Sequence, residues 1–325
     1  AADEQAKAQS RWRMSPEAKL AQDFAGCRLK AYRRIEHIAK GSVSDLFLAE
    51  SPELGGVVVL KVTPAVRKDS GIDQSMERFL QEFEILRGVQ HPNIVRIYDL
   101  GVTDDHLYLA MEHFARGDLR KRMSEGLTAR QSLAYARDLA FALEAIHEVG
   151  IYHRDLKPGN VMLRDDGSIA LIDFGLAKHV ALKMEVTDKG LIFGTPHYMS
   201  PEQGHGKPID GRSDIYALGV MLYEMLTGKK PYDAENHMAI LVHHAKAPIP
   251  KLPERLATVQ HIIDKLMAKE PADRPQDASV AARLIADALN ALPPPNVGAT
   301  ATAPMPALTS SHADIPAAPL GPAST

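Results

Sequence analysis

An apolar helix that runs straight into eight polar-rich residues is the feature that most narrows what this 325-residue chain can become. Leu133, Ala136, Leu139, Ala140, Leu143 and Ile146 keep the 3.6-residue period, and the run stops near Gly150. His153-Arg154-Asp155-Leu156-Lys157-Pro158-Gly159-Asn160 follows directly. Five specified residues in eight positions arise by chance at about 10⁻⁴ per chain of this length. Asp173-Phe174-Gly175 comes next, flanked by Leu171-Ile172 and Leu176. Gly194-Thr195-Pro196, Ser200-Pro201-Glu202 and then Ser213-Asp214, which opens a second apolar helix, complete the series. That helix carries Ile215, Leu218, Leu222, Met225 and Leu226 and ends at Gly228, a C-cap signal. Each piece alone is moderate; their order and spacing together are specific.

Upstream, between about residues 32 and 115, the signals are mostly strands. Val57-Val58-Val59-Leu60-Lys61-Val62 is a β-branched run after the turn signal Gly55-Gly56. Ile94–Leu100 and Leu107–Met111 predict two more strands, and Gln74–Val89 predicts a helix with Phe79, Phe83 and Leu86 on one face. After about residue 118 the pattern turns helical, with no internal repeat. At the start, residues 1–14 are polar. Ser15-Pro16-Glu17 then reads as a helix start, with Leu20 and Phe24 stacked at i, i+4. At the end, residues 293–325 hold eight of the 22 prolines and one charged residue, Asp314. Such a segment buries too little to offset its conformational entropy and reads as a semi-extended linker, the alternative being a proline-rich ligand.

Composition sets the outer limits. The chain is 45% hydrophobic and 24% charged, enough apolar material for a large core. A net charge of −3 argues against a nucleic-acid binder that works by bulk positive charge. One cysteine, Cys27, excludes an intramolecular disulfide and fits a reducing compartment. No apolar run approaches the roughly 18–20 residues of a membrane span, and the first residues hold no signal-peptide h-region. The chain does not open with Met, so the expectation is a processed chain or an excised fragment, with room for an anchor outside it.

The motif set resembles the eukaryotic-like serine/threonine protein kinases, their bacterial branch most closely, over about residues 33–290. Tyr198-Met199-Ser200-Pro201-Glu202-Gln203 is one reason for the bacterial branch. The resemblance implies an α+β, two-lobed fold with a small β-rich N-lobe and a larger helical C-lobe. It implies an extension with a short helix over 1–31, a kinase domain over 32–291 (N-lobe 32–111, hinge 112–117, C-lobe 118–291) and a linker over 292–325. The implied activity is transfer of the γ-phosphoryl of ATP to protein Ser or Thr hydroxyls. Mg²⁺ is the implied metal, with Mn²⁺ able to replace it.

Phosphoryl transfer mainly needs positioning and charge neutralisation. The resemblance gives Lys61 the α/β-phosphates and Glu82 the task of holding Lys61, with Glu84 as the competing acid. An ammonium on so apolar a strand needs a partner. Asp155 would accept or orient the substrate hydroxyl, and Lys157 would offset γ-phosphoryl charge. Asn160 and Asp173 would be the metal ligands. The family's glycine-rich loop, G-x-G-x-x-G-x-V, is degraded here. Ile38-Ala39-Lys40-Gly41-Ser42-Val43-Ser44-Asp45-Leu46 keeps only the middle glycine. At negative φ, Ala39 and Ser44 cost little; at positive φ each costs about 1–2 kcal/mol. Leu46, Val59 and Met162 would sandwich adenine. Met111 would be the gatekeeper, Glu112 and Phe114 would offer hinge backbone bonds, and Asp118 would reach the ribose.

Thr187 is the implied activation-segment phosphosite, with Arg154 and Lys178 as recruits, while Thr195 would hydrogen-bond Asp155 and Lys157. Glu202 and Arg274 would form a buried ion pair, His153 would be buried, and the other histidines read as solvated. The alternative to an active enzyme is a pseudokinase, a binding module with a weakened nucleotide site. A small-molecule phosphotransferase of related fold would lack the Gly194–Glu202 segment, and an oxidoreductase would need a G-x-G-x-x-G opening a helix. Implied partners are protein substrates, with a homodimer through the small lobe open. Nucleic acid and a membrane segment within the chain are not expected, and the kinase domain is expected in the cytoplasm.

Overall fold

Side-chain alternation along one central strand organises the small lobe. The structure, a computed structural model, describes residues 22–24, 27–29, 31–40, 44–64, 67–68, 71–72, 83–103, 106–173 and 196–293. Strands β1 (Gln22–Phe24) and β2 (Cys27–Leu29) form an antiparallel hairpin. They precede β3 (Arg33–Lys40), β4 (Asp45–Ser51) and β5 (Gly56–Pro64). A small ribbon, β6 (Arg67–Lys68) and β7 (Gly71–Ile72), follows, then β8 (Ile97–Val102) and β9 (His106–Glu112). The main sheet is antiparallel with the order β3-β4-β5-β9-β8, so β5 lies in its middle.

Successive residues of a strand face opposite sides. Val58, Leu60 and Val62 are therefore buried on one face, where Phe24, Cys27, Leu29 and Tyr32 cover them together with Phe47. Val59 and Lys61 face the other way, toward the large lobe. Phe24 sits edge-on to Phe47, with ring centroids 5.4 Å apart. This corrects the helix expected to carry Leu20 and Phe24. Phe24 is in β1 and pairs with Cys27, because the hairpin buries it on the sheet. Leu20 and the Ser15-Pro16 start lie outside the described residues.

A second correction concerns Ile94–Leu100. The strand starts only at Ile97, and Ile94 instead makes an isolated parallel bridge to Leu171 of the large lobe. Of the helix expected over Gln74–Val89, residues 83–88 are described and are helical, with Phe83 and Leu86 buried.

The large lobe is helical. Its helices are α1 (Leu119–Ser124), α2 (Ala129–Glu148), α3 (Pro201–Gly204) and α4 (Gly211–Thr227). They continue with α5 (His237–Lys246), α6 (Gln260–Leu266) and α7 (Ala278–Ala291). A two-stranded ribbon, β10 (Val161–Leu163) with β11 (Ile169–Leu171), lies under the cleft. Helix α2 starts at a capping box, Thr128 with Gln131, and its periodic apolar face is buried. Helix α4 ends at Gly228 with φ +71°, the left-handed C-cap its sequence announces. Among the described residues no helix is long and apolar enough to cross a membrane.

Candidate active site

Residues 153–160, separated from the end of α2 by four residues, form a segment whose backbone is held from below. Asp214, in the first turn of the apolar α4, is 2% exposed. Its Oδ2 accepts the His153 N–H and its Oδ1 the Arg154 N–H, both at 2.8 Å. His147 Nε2, at the end of α2, meets Oδ2 at 2.8 Å. His153 is fully buried, as expected, and its Nε2 lies 2.9 Å from the Ile172 carbonyl. One buried carboxylate thus fixes the start of the loop, and one buried imidazole ties it to the strand leading to Asp173. Sequence reasoning missed this anchoring role of Asp214; the signal that could have found it is an acid inside an otherwise apolar helix.

The polar groups of the loop converge on Asp155. Lys157 Nζ donates to Asp155 Oδ2 at 2.8 Å. Asn160 Nδ2 donates to the Asp155 carbonyl at 2.8 Å and to Oδ2 at 3.2 Å. Those bonds use the Asn160 amide nitrogen and do not involve its carbonyl oxygen. Across the cleft, Lys61 Nζ donates to Asp173 Oδ1 at 2.5 Å. Lys61, on the central strand, therefore has Asp173 as its anionic partner, through Oδ1. An amide oxygen and a carboxylate oxygen are the hard donors that a small divalent cation takes, so the residues present fit such an ion. Arg154 and Asp173 are the only described non-glycine residues with φ in the left-handed region, at +64° and +53°. Backbone strain of about 1–3 kcal/mol per residue persists where the surroundings over-determine it. Here it brackets the two aspartates.

The apolar residues around the cleft lie close together along the sheet and the ribbon. Leu46 pairs in register with Lys61, and Val59 with Met111. Leu46, Val59 and Met162 are half-buried against the main core, while Met111 and Phe114 are buried. Asp118 bridges to Met162 and caps α1 by accepting Lys121 N–H at Oδ1. Its Oδ2 accepts Arg120, so both oxygens already have partners. The Glu112 carboxylate points behind the hinge, receiving Arg164 Nε at 2.7 Å and Nη2 at 3.0 Å.

At the phosphate loop, Ile38, Ala39 and Lys40 end β3, and Ser44, Asp45 and Leu46 enter β4. Ala39 does not have positive φ, so it does not carry the strain that glycine would relieve. Ser44 Oγ lies 2.8 Å from Thr63 Oγ1 of β5, and His37 Nε2 lies 2.9 Å from Asp45 Oδ1. Gly41, Ser42, Val43, Glu82, Lys178, Thr187 and Thr195 fall outside the described residues.

Beneath this site, Arg274 Nη1 and Nη2 donate to the two Glu202 oxygens at 2.7 and 2.9 Å. Burial pushes the Glu202 carboxyl up, but Arg274 and Ser213 together bring it down to about 2. Gln203 closes a capping box with Ser200 and donates to the Arg154 carbonyl at 2.9 Å. One histidine departs from the solvated reading. His244 is fully buried, with Nδ1 2.9 Å from the Tyr216 hydroxyl, and burial lowers its pKa to about 3, leaving it neutral.

Comparison with known proteins agrees with this arrangement. The family model described as a protein kinase domain matches residues 32–286. Serine/threonine-protein kinase Pkn1 of Myxococcus xanthus is 35% identical over 278 residues, 83% of this chain and 40% of that protein. Serine/threonine-protein kinase PrkC of Bacillus subtilis is 34% identical over 254 residues, 76% of this chain and 39% of that protein. The chain thus spans about 40% of the length of these curated relatives. The crystal structure of a point mutant of the Mycobacterium tuberculosis PknI kinase domain superposes with a TM-score of 0.62 at 25% identity. That superposition covers 82% of this chain and 99% of the other. With the two lobes, the loop around Asp155 and the matched domain in hand, this chain belongs to the protein kinase family, alongside bacterial serine/threonine kinases.

Proposed function

We propose that the chain is an ATP- and Mg²⁺-dependent serine/threonine protein kinase that also phosphorylates its own activation segment at Thr187. The observation that carries the reading is the convergence of Lys157 and Asn160 on Asp155, opposite the Lys61–Asp173 pair. Asp155 accepts or orients the proton of the substrate hydroxyl. Lys157, already against Asp155, offsets charge on the group in transfer. Lys61 holds the α/β-phosphates, with Glu82 as its helix partner. Asn160 and Asp173 would hold Mg²⁺, which supplies positive charge to the phosphates when bound, and Mn²⁺ fits the same oxygen donors. Leu46, Val59 and Met162 enclose adenine below the Met111 gatekeeper, Glu112 and Phe114 supply the hinge, and Asp118 faces the ribose. The loop from Ile38 through Gly41, Ser42 and Val43 to Asp45 covers the phosphates. The transfer is direct and in line, with no covalent enzyme intermediate.

The organisation that goes with this reading is an N-lobe over 32–111, a hinge over 112–117, a C-lobe over 118–291 and a linker over 292–325. Protein substrates carrying Ser or Thr are the partners, and the cytoplasm, where ATP is supplied, is the compartment. The test is incubation of the purified chain with Mg·ATP beside Asp155→Asn, followed by intact mass and site mapping. Phosphate gained only by the first protein, and found on Thr187, is the expected result. Gain at another site keeps the kinase and removes the Thr187 assignment. ATP binding without transfer would favour the pseudokinase.

A further inference from the structure

One cation stands over the catalytic loop without a part in the reaction just proposed. Arg120, on α1, directs its guanidinium at Gly159, between Lys157 and Asn160. A Cβ built on Gly159 would lie 3.2 Å from the Arg120 Cζ and Nε. The Arg120 side chain is 71% exposed. Its Nε and Nη2 donate to one oxygen, Asp118 Oδ2, at 2.9 and 2.6 Å. A protein segment that brings its hydroxyl to Asp155 has to cross this loop. On the α1 side it meets a glycine with no side chain, an aspartate whose two oxygens are already used, and an exposed arginine. Arg116, Lys121 and Arg122 line a separate cleft of about 250 Å³ together with one acid, Glu125.

Resting on the kinase reading above, we infer that Arg120 is a specificity-determining residue. It selects protein substrates with an acidic side chain close to the acceptor Ser or Thr, on the side of the acceptor that passes α1. A guanidinium edge and a carboxylate form the stronger class of hydrogen bond. A lysine or arginine at the same place meets a like charge.

The test is a positional scan of otherwise identical Ser-containing peptides, with Asp or Lys placed singly at each of the four positions on either side of the acceptor. The readout is the ratio of kcat/KM for the Asp peptide to that for the Lys peptide. Both peptides use the same nucleotide site, so an effect of a substitution on ATP cancels in the ratio. For the unaltered chain, one position is expected to favour Asp by about threefold to tenfold, the combined worth of one exposed attraction and one exposed repulsion. The preference should shrink as salt is raised. Arg120→Lys should keep part of it. Arg120→Ala, which also releases Asp118, should bring the ratio to unity or below, and Arg120→Glu should invert it. Because Arg120 is exposed, unchanged melting temperatures would show that the variants fold. Transfer with a ratio within about twofold of unity at every position would overturn this inference and leave the kinase reading standing. A preference that survives in Arg120→Glu would likewise overturn it. Transfer to no peptide by a chain that still phosphorylates itself would overturn this inference alone, and absence of both activities would overturn both.

Discussion

Asp214 bonds to two backbone N–H groups and one imidazole, and is itself 2% exposed. Removing the carboxylate leaves buried donors unsatisfied, each at about 1–3 kcal/mol. Asp214→Ala is therefore expected to lose about 3–5 kcal/mol of stability. It should also lower kcat far more than it raises KM for ATP, because Asp155 loses its footing while the adenine slot is untouched. Urea denaturation and steady-state kinetics check the two halves separately. Glu202 gives a pH signature. Its folded pKa of about 2 lies below its ordinary value of 4.5, so its contribution is complete above about pH 4.5 and fades as pH falls toward 2. That contribution is on the order of 3 kcal/mol. The unfolding free energy of the unaltered chain should fall across this window, and Glu202→Gln should flatten that part of the profile. A parallel profile for the variant would contradict the assignment.

At the scale of elements, the hinge is braced from behind. Arg164 follows β10 and holds both Glu112 oxygens, and it also donates to the carbonyls of Pro92 and Ile94. It therefore clamps the end of β9, the segment before β8 and the ribbon of the large lobe together. Arg164→Ala should cost about 1–3 kcal/mol and raise KM for ATP. A double-mutant cycle with Glu112→Gln should show a coupling of about 0.5–3 kcal/mol. The brace is not legible in the sequence, because Glu112 and Arg164 are far apart along the chain and no local pattern joins them. The loop around Asp155 is legible, since its chemistry is packed into eight consecutive residues after a strongly periodic helix. The strand expected from Ile94 starts too early for a related reason. Ile94 and Val95 are apolar because they pack at the lobe junction, not because they lie in the sheet. Likewise Ala39 and Ser44 suggest a weakened loop, and only the backbone angles show that Ala39 does not sit at positive φ. Ala39→Gly should accordingly lower stability by about 0.4–1 kcal/mol instead of relieving strain.

Across the whole molecule, β5 serves two interiors, with Val58, Leu60 and Val62 in one and Val59 and Lys61 at the edge of the other. The hairpin before β3 looks like a helix in the sequence because a lone i, i+4 pair fits a short helix as well as other folds. The covering partner, Phe47, is only known once the sheet exists. Cutting the chain back to residue 31 would remove the buried Phe24, Cys27 and Leu29. At about 1.5–3 kcal/mol per buried apolar side chain, the loss should be on the order of 5 kcal/mol. The fraction that stays folded should keep its KM for ATP, since the cleft uses the opposite face. Urea midpoints and nucleotide titration of the shortened chain decide this.

The two interiors also close at different moments of synthesis. Every described buried residue of the hairpin-covered interior lies between Phe24 and Ala110, while the larger one draws on residues from Phe83 to Leu289. On a ribosome adding about 5–20 residues per second, the first is complete roughly ten to thirty-five seconds before the last strip of the second emerges. During that interval the nascent small lobe is sealed on its outer face and bare on its inner one. The surface waiting there, around Val59 and Lys61, is the one that later forms the roof of the cleft.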